Sequence, residues 1–181
     1  MKTTKSKSVS TKQITEQDGE KLKELFIDGL KDIYWAEKNL AKALVKLSKN
    51  STSEELRSAF ELHTSQTEEH VATVEQVFEI VGEKAQVKKC AAMEGLIEEA
   101  NEIISSTEKG TLVRDCGLIM AAQKVEHYEI ASYGTLRNIA RTLGYDDAAK
   151  LLQQTLDQEG ETDQILTGLA ESYVNEQASA E

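Results

Sequence analysis

The chain has 181 residues, no proline and a formal net charge of −11. That length is most simply one domain with a sizeable core, and a proline-free sequence rich in Ala, Glu, Leu, Lys and Gln makes helix the default for every segment. Four lysines against Glu16 and Asp18 give the first 18 residues a charge of +2 and leave −13 on the rest, a body that repels phosphate backbones and argues against nucleic acid as a partner.

The opening "MKTTKSKSVSTKQ" is polar and lysine-rich and lacks the apolar stretch of a leader, so residues 1–18 are expected to form a disordered basic tail. No run reaches the roughly 18 apolar residues of a membrane span, and a soluble cytoplasmic protein is expected. Cys90 and Cys116 belong to no CxxC pair and make no disulfide framework; both are expected to be free, buried thiols.

Polar breaks at 48–55, 81–89, 106–113 and 142–147 divide the remainder into four long helices and one short one, with the folded part expected over 19–174 and a frayed tail over 175–181. The first helix, from Asp18 to Leu47, carries Leu22, Phe26, Leu30, Ile33, Leu40, Leu44 and Leu47 at three- and four-residue steps, with Glu37 inside the stripe. The second opens at the capping cluster Ser51-Thr52-Ser53. Its stripe passes from Leu56 and Phe60 to Val74 through His63, Gln66, Thr67 and His70.

The short helix, "KCAAMEGLIEEANEIISS", turns Met93, Leu96, Ile97, Ala100, Ile103 and Ile104 inward and has the length of a crossover element. Glu94 is expected to reach toward the bundle interior, with Glu98 and Glu99 in solvent. The next helix, Leu112 to Leu143, is apolar on nearly every side at 116–122 and then places Gln123, Glu126 and Glu129 on its inward lines. The last, with Asp146 or Asp147 as its N-cap, has the stripe Ala148, Leu152, Thr155, Glu159, Thr162 or Asp163, Leu166.

Short first–second and third–fourth connections with one long connection between the pairs describe an all-α four-helix bundle with a long crossover that contains the extra helix. Both halves repeat one spacing, Glu37 to His70 and Glu126 to Glu159, which points to an internal duplication of helix pairs.

Carboxylates on core stripes raise an electrostatic problem. If Glu37, Glu126, Glu129, Glu159 and Asp163 meet in mid-bundle, five negative charges share a small volume, and neighbouring buried carboxylates do not all stay ionised without cations. Two divalent ions nearly neutralise the set, and oxygen-rich ligation with one or two imidazoles suits iron or manganese over zinc. The alternative for each is a rim position whose carboxylate reaches water. No literal Glu-x-x-His of the standard di-iron bundle occurs. In its place stand His63-x-x-Gln66-x-x-x-His70, Glu126-x-x-Glu129 and Glu159-x-x-x-Asp163, each confined to one helix face. Tyr34, Tyr128 and Tyr133 read as core or hydrogen-bonding aromatics, and His127 lies one step off the inward line.

The segments "IYWAEKNL", "CAAMEGLIEEANEII", "AAQKVEHYEIASYGTL" and "ETDQILTGLA" resemble the YciF/YciE-type ferritin-like proteins of bacteria, over about residues 20–174. The resemblance implies a ferritin-like bundle, cytoplasmic and dimeric, associated with stress responses and holding a di-iron or di-manganese centre. Carried over residue by residue, the metal ligands would be Glu37, the face of His63, Gln66 and His70, Glu126, Glu129, Glu159 and Asp163; Gln66 stands where the family tends to have a carboxylate. The partners expected are metal ions and a second copy of the chain. Two other functions stay open: a manganese-catalase or oxidase type of enzyme, and a metal-free helical interaction protein.

Overall fold

The structure, a computed structural model, describes the backbone of residues 16–181 and side chains from residue 19. The basic tail expected over 1–18 lies outside the described residues, except that 16–18 already belong to the first helix. The elements are α1 (Glu16–Asn50), α2 (Glu54–Ile80), α3 (Ala91–Ser106), α4 (Leu112–Thr142), α5 (Asp146–Leu169), a π-helical turn (Ala170–Val174) and α6 (Asn175–Ala178). Helix α1 packs on α2, α4 on α5, and the two pairs meet through α2–α5 and α1–α4 contacts, with α3 laid over α1 and α4. This is the four-helix bundle with a long crossover that the breaks imply.

The helical period decides what faces inward. Phe26, Leu30, Ile33, Leu40, Leu44 and Leu47 of α1 are buried, as are Leu56, Phe60, Val74, Val77 and Phe78 of α2. Helices α2 and α4 end with glycines at positive φ, Gly82 (75°) and Gly144 (82°). There the N–H groups of Glu83 and Tyr145 return to Phe78 O and Ala140 O at 2.9 Å, which satisfies carbonyls at the helix ends and reverses the chain. Helix α5 then starts at Tyr145 without a side-chain cap, so Asp146 and Asp147 occupy its first turn and favour the positive end of the helix dipole from there.

Two adjacent charges at the start of α4 fasten the other elements. Asp115, fully buried, accepts the N–H groups of Thr52 (2.7 Å) and Ser53 (2.8 Å) and so fixes the N-terminus of α2. Arg114 donates Nη2 to Ile104 O (2.9 Å) and Thr107 O (2.5 Å), which holds the C-terminus of α3. Gly117 lets α3 approach closely: a Cβ there would lie 2.6 Å from Cγ2 of Ile103. The stretch expected to fray after Val174 instead adds a helical turn, and Glu181 accepts the N–H groups of Leu112 (2.9 Å) and Val113 (3.1 Å) at the exposed start of α4. Among the described residues no helix is long and apolar enough to cross a membrane.

Candidate metal centre

Each long helix contributes at least one polar residue to the middle of its buried face: Glu37 from α1, His63 and His70 from α2, Glu126 and Glu129 from α4, and Glu159 from α5. None of the six is more than 2% exposed. They form two overlapping groups, one of His63, Glu126, Glu129 and Glu159 and one of Glu37, His70 and Glu159, with ligating atoms within 4.8 Å of one another in each. Glu159 belongs to both, which places it between two potential ion positions.

Both imidazoles have one nitrogen tied outward to α5 and the other turned inward. Nε2 of His70 lies 2.8 Å from Oε1 of Gln158, an acceptor that takes its proton, while Nδ1 faces Glu159 at 3.0 Å and Glu37 at 3.8 Å. Nδ1 of His63 is 3.4 Å from Oγ1 of Thr162, whose own proton goes to Gln158 O (3.1 Å), so the ring is the donor. The inner Nε2 of His63 stands 3.3 Å from Glu126 and 3.8 Å from Glu159. Outward hydrogen bonds of this kind fix the tautomer and orientation of metal-ligating histidines.

The inward atoms are close but not bonded to one another. His63 Nε2, His70 Nδ1, one oxygen each of Glu37 and Glu126, and both oxygens of Glu129 and Glu159 are buried without a hydrogen-bond partner. The ring-to-carboxylate approaches run from 3.0 to 3.8 Å. An unpartnered buried polar atom costs about 1–3 kcal/mol, more when charged, so eight in one cluster ask for something to share.

Protonation shows the same frustration. Burial pushes the carboxyl of Glu37 up to about 8, with the charge of Glu159 adding to it against the pull of His70 and Tyr133. Burial likewise raises Glu126 to about 7, and lifts Glu129 well above the usual carboxylate range, reinforced by Glu37 and Glu159. Burial disfavours the charged form of His63, but the carboxylate of Glu126 outweighs it and draws the ring up to about 9. His70 rises through Glu159 and Glu37 against the same burial effect. Without ions, the cluster holds protons in their place.

Two of the eight residues expected at the centre fall outside it. Asp163 accepts from Gln123 Nε2 at 3.1 Å and lies 3.5 Å from His127, on the α4–α5 seam. The buried line of α5 runs through Thr155, Glu159, Thr162 and Leu166, and at 100° per residue Asp163 sits roughly 70° from its centre. Gln66 is half-buried while Thr67 takes the fully buried position between the histidines; at 100° per residue Gln66 sits roughly 65° from the centre of the line through His63, Thr67 and His70. The convergent charge is therefore −4 rather than −5, and two divalent ions balance it completely. Glu94 also misses the interior: it pairs with Lys89 at 2.6 Å on the surface.

The tyrosines divide. Tyr133, fully buried, donates to Oε1 of Glu37 and stands edge-on to His70, whereas Tyr34 donates to Glu75 (2.5 Å) away from the cluster. Tyr128 bonds Asp32 at 2.8 Å and contacts Sγ of Cys90 at 3.1 Å. Cys90 is buried and caps α3, and Cys116 is only half-buried. Thr162 stands on the inward stripe of the last helix in the sequence as the alternative to Asp163, whereas Gln158 carries no stripe signal; its one-turn spacing from Thr162, beside Glu159, is the signal that points to it.

The donor set fits a pair of divalent ions. Four carboxylates and two imidazoles are the inventory of the di-iron and di-manganese bundles, differently distributed: both histidines lie on α2 and two glutamates on α4. An ion held at about 2.2 Å by each ligand needs ligand atoms within about 4.4 Å of each other, close to the separations present.

A family model described as "Domain of unknown function (DUF892)" matches residues 21–179. The chain belongs to the DUF892 family. It is 52% identical over 158 residues to Protein YciF of Escherichia coli K12, covering 87% of this chain and 95% of that one. The crystal structure of the E. coli stress protein YciF superimposes with a TM-score of 0.81 at 53% identity, covering 85% of this chain and 97% of that one. The DUF892 fold also matches YcfI of Rhodopseudomonas palustris, with a TM-score of 0.78 at 34% identity over 88% of this chain and 98% of that one. A Xanthomonas campestris protein at 22% identity, with a TM-score of 0.68 and coverage of 88% and 97%, shares the fold.

Proposed function

We propose that this DUF892 protein binds two divalent ions, iron or manganese, inside the bundle and serves in metal or peroxide handling, as a stress-associated protein like the E. coli relative. The observation that carries the proposal is the set of buried nitrogen and oxygen atoms, all directed at one volume and lacking partners. Bound there, the ions supply Lewis-acid and one-electron redox chemistry in a water-excluded site. The chain's own part is to hold the ligands: Gln158 and Thr162 set the two imidazoles, Tyr133 sets Glu37, and Glu159 bridges the two groups. The apolar residues above and below exclude water, so no solvent competes for the carboxylates.

The test is elemental analysis of protein purified without chelators and again after anaerobic reconstitution with ferrous or manganous ion. About two equivalents are expected; retention below about a tenth of an equivalent of either metal overturns the proposal.

A further inference from the structure

Beneath α3, where it crosses the α1–α4 seam, lies a partly enclosed chamber with about 10 Å3 open to the centre of a water-sized molecule. Its walls are Leu40, Leu44, Leu96, Ala100, Ala122 and their apolar neighbours, and its one polar residue is Glu126. That carboxylate is 1% exposed, and its Oε2 has no partner. The chamber thus shares Glu126 with the centre. On its outer side it shares Ala43 and Ile97 with an open surface pocket of about 440 Å3, bordered by Trp35, Glu98, Lys46 and Asn101. Lys46 donates to Asn101 at 2.5 Å across the α1–α3 rim of that pocket. Ala43 and Ile97 thus form part of the wall common to the outer pocket and the chamber.

Size and lining select the occupant. The space holds one small molecule, yet a buried water needs two to four polar partners and an apolar cavity stays dry. One carboxylate cannot hold a water there, and a hydrated cation finds no ligands along the walls. Hydrogen peroxide, with two hydroxyls to satisfy, fits less well than a molecule that asks for no hydrogen bonds.

We propose that the chamber beneath α3 is a binding site for one small uncharged diatomic molecule, dioxygen being the chemical class intended, which enters between Ala43 and Ile97 and reaches the ions beside Glu126. The delivery half of this inference rests on the metal-binding proposal; the site itself does not. Helix α3 is then the cover of a gas pocket as well as a crossover.

The first measurement uses xenon as the probe: crystals of the metal-free protein under xenon pressure are expected to show density between Leu44, Leu96 and Ala122, lost in Ala100→Leu. The second is the association rate of nitric oxide with ferrous-loaded protein, followed by stopped flow. Ala100→Leu should slow it about fivefold or more, and Ile97→Ala, which thins the wall without filling the chamber, should accelerate it. Ferrous affinity should change less than about twofold in both variants. No xenon in the chamber overturns the site, and equal nitric oxide rates in all three proteins overturn the route. Xenon binding in a protein that takes up neither iron nor manganese upholds the pocket and removes the metal proposal, so the two failures are separable.

Discussion

Tyr133 and Glu37, 96 residues apart in sequence, meet by a buried hydrogen bond across the α1–α4 seam. The phenol occupies Oε1 of the carboxylate and leaves Oε2 directed into the cluster without a partner. Tyr133→Phe removes the bond without removing the ring. Manganese affinity should fall about tenfold or more, the usual effect of losing a hydrogen bond that orients a ligand. Titration calorimetry checks it, and unchanged affinity would show that packing alone orients Glu37.

Gln158 does for His70 what Tyr133 does for Glu37. In Gln158→Leu the Nε2 proton loses its acceptor, and nothing keeps Nδ1 as the inward, unprotonated nitrogen. Metal affinity should drop by about 10- to 100-fold, with the circular dichroism spectrum of a folded helical protein retained.

Glu159 and Glu129 are both buried carboxylates, but only Glu159 belongs to both ligand groups. Glu129→Gln should therefore lower bound metal from about two ions to about one, whereas Glu159→Gln should weaken both positions and leave less than one. In the absence of metal both variants should melt at or above the parent temperature, because each replaces a buried ionisable carboxyl lacking hydrogen-bond partners with a neutral side chain of the same shape. Inductively coupled plasma measurements give the stoichiometry and calorimetry the melting points.

The pH dependence follows from the direction of the shifts. The carboxyls of Glu37 and Glu126, ordinarily near 4.5, are raised to about 8 and about 7, and His63, ordinarily near 6.5, to about 9. Each group binds a proton in the folded state that the unfolded chain has already released, between 4.5 and about 8 or 7 for the glutamates and between 6.5 and about 9 for His63. Stability falls with rising pH wherever the native state holds the extra protons. Chelator-treated protein should thus lose melting temperature steadily from about pH 5 to about pH 9. Metal ions displace those protons, so the increment they add to the melting temperature should grow over the same range. A chelated protein that gains stability toward pH 9 would contradict the assignment.

Asp115 provides a stability prediction away from the centre. Asp115→Ala leaves two N–H groups at the start of α2 without their acceptor, at a cost of about 3 kcal/mol. Denaturant unfolding should report that loss. Metal stoichiometry in the folded protein should stay at the parent value, since Asp115 touches no residue of the cluster.

Six of the residues at the centre are legible in the sequence for one reason: a charged or imidazole side chain at an inward position breaks an otherwise apolar stripe. The same reasoning misplaces Asp163 and Gln66, because an apolar face spans more than 100° of a helix and a pattern of threes and fours cannot separate 162 from 163 or 66 from 67. Only the packing of α5 on α2 and α4 makes that choice, and it turns Thr162 and Thr67 inward. Gln158, Arg114 and Asp115 look in sequence like ordinary surface polar residues. Their roles come from partners on other elements, at separations of 88, 10 and 63 residues, that no local period encodes.

The two helix pairs repeat one spacing and differ in their donors. The Glu37 and His70 of one half correspond by spacing to the Glu126 and Glu159 of the other, so an imidazole stands where its counterpart is an acid. One ion position is thus approached by four residues and the other by three. If ions bind there as proposed, such a pair would load as a staircase: the richer step would fill first, and the charge it brings would make the second step higher. At metal concentrations between the two steps the protein would be half loaded, and its occupancy would become a graded reading of how much free metal surrounds it.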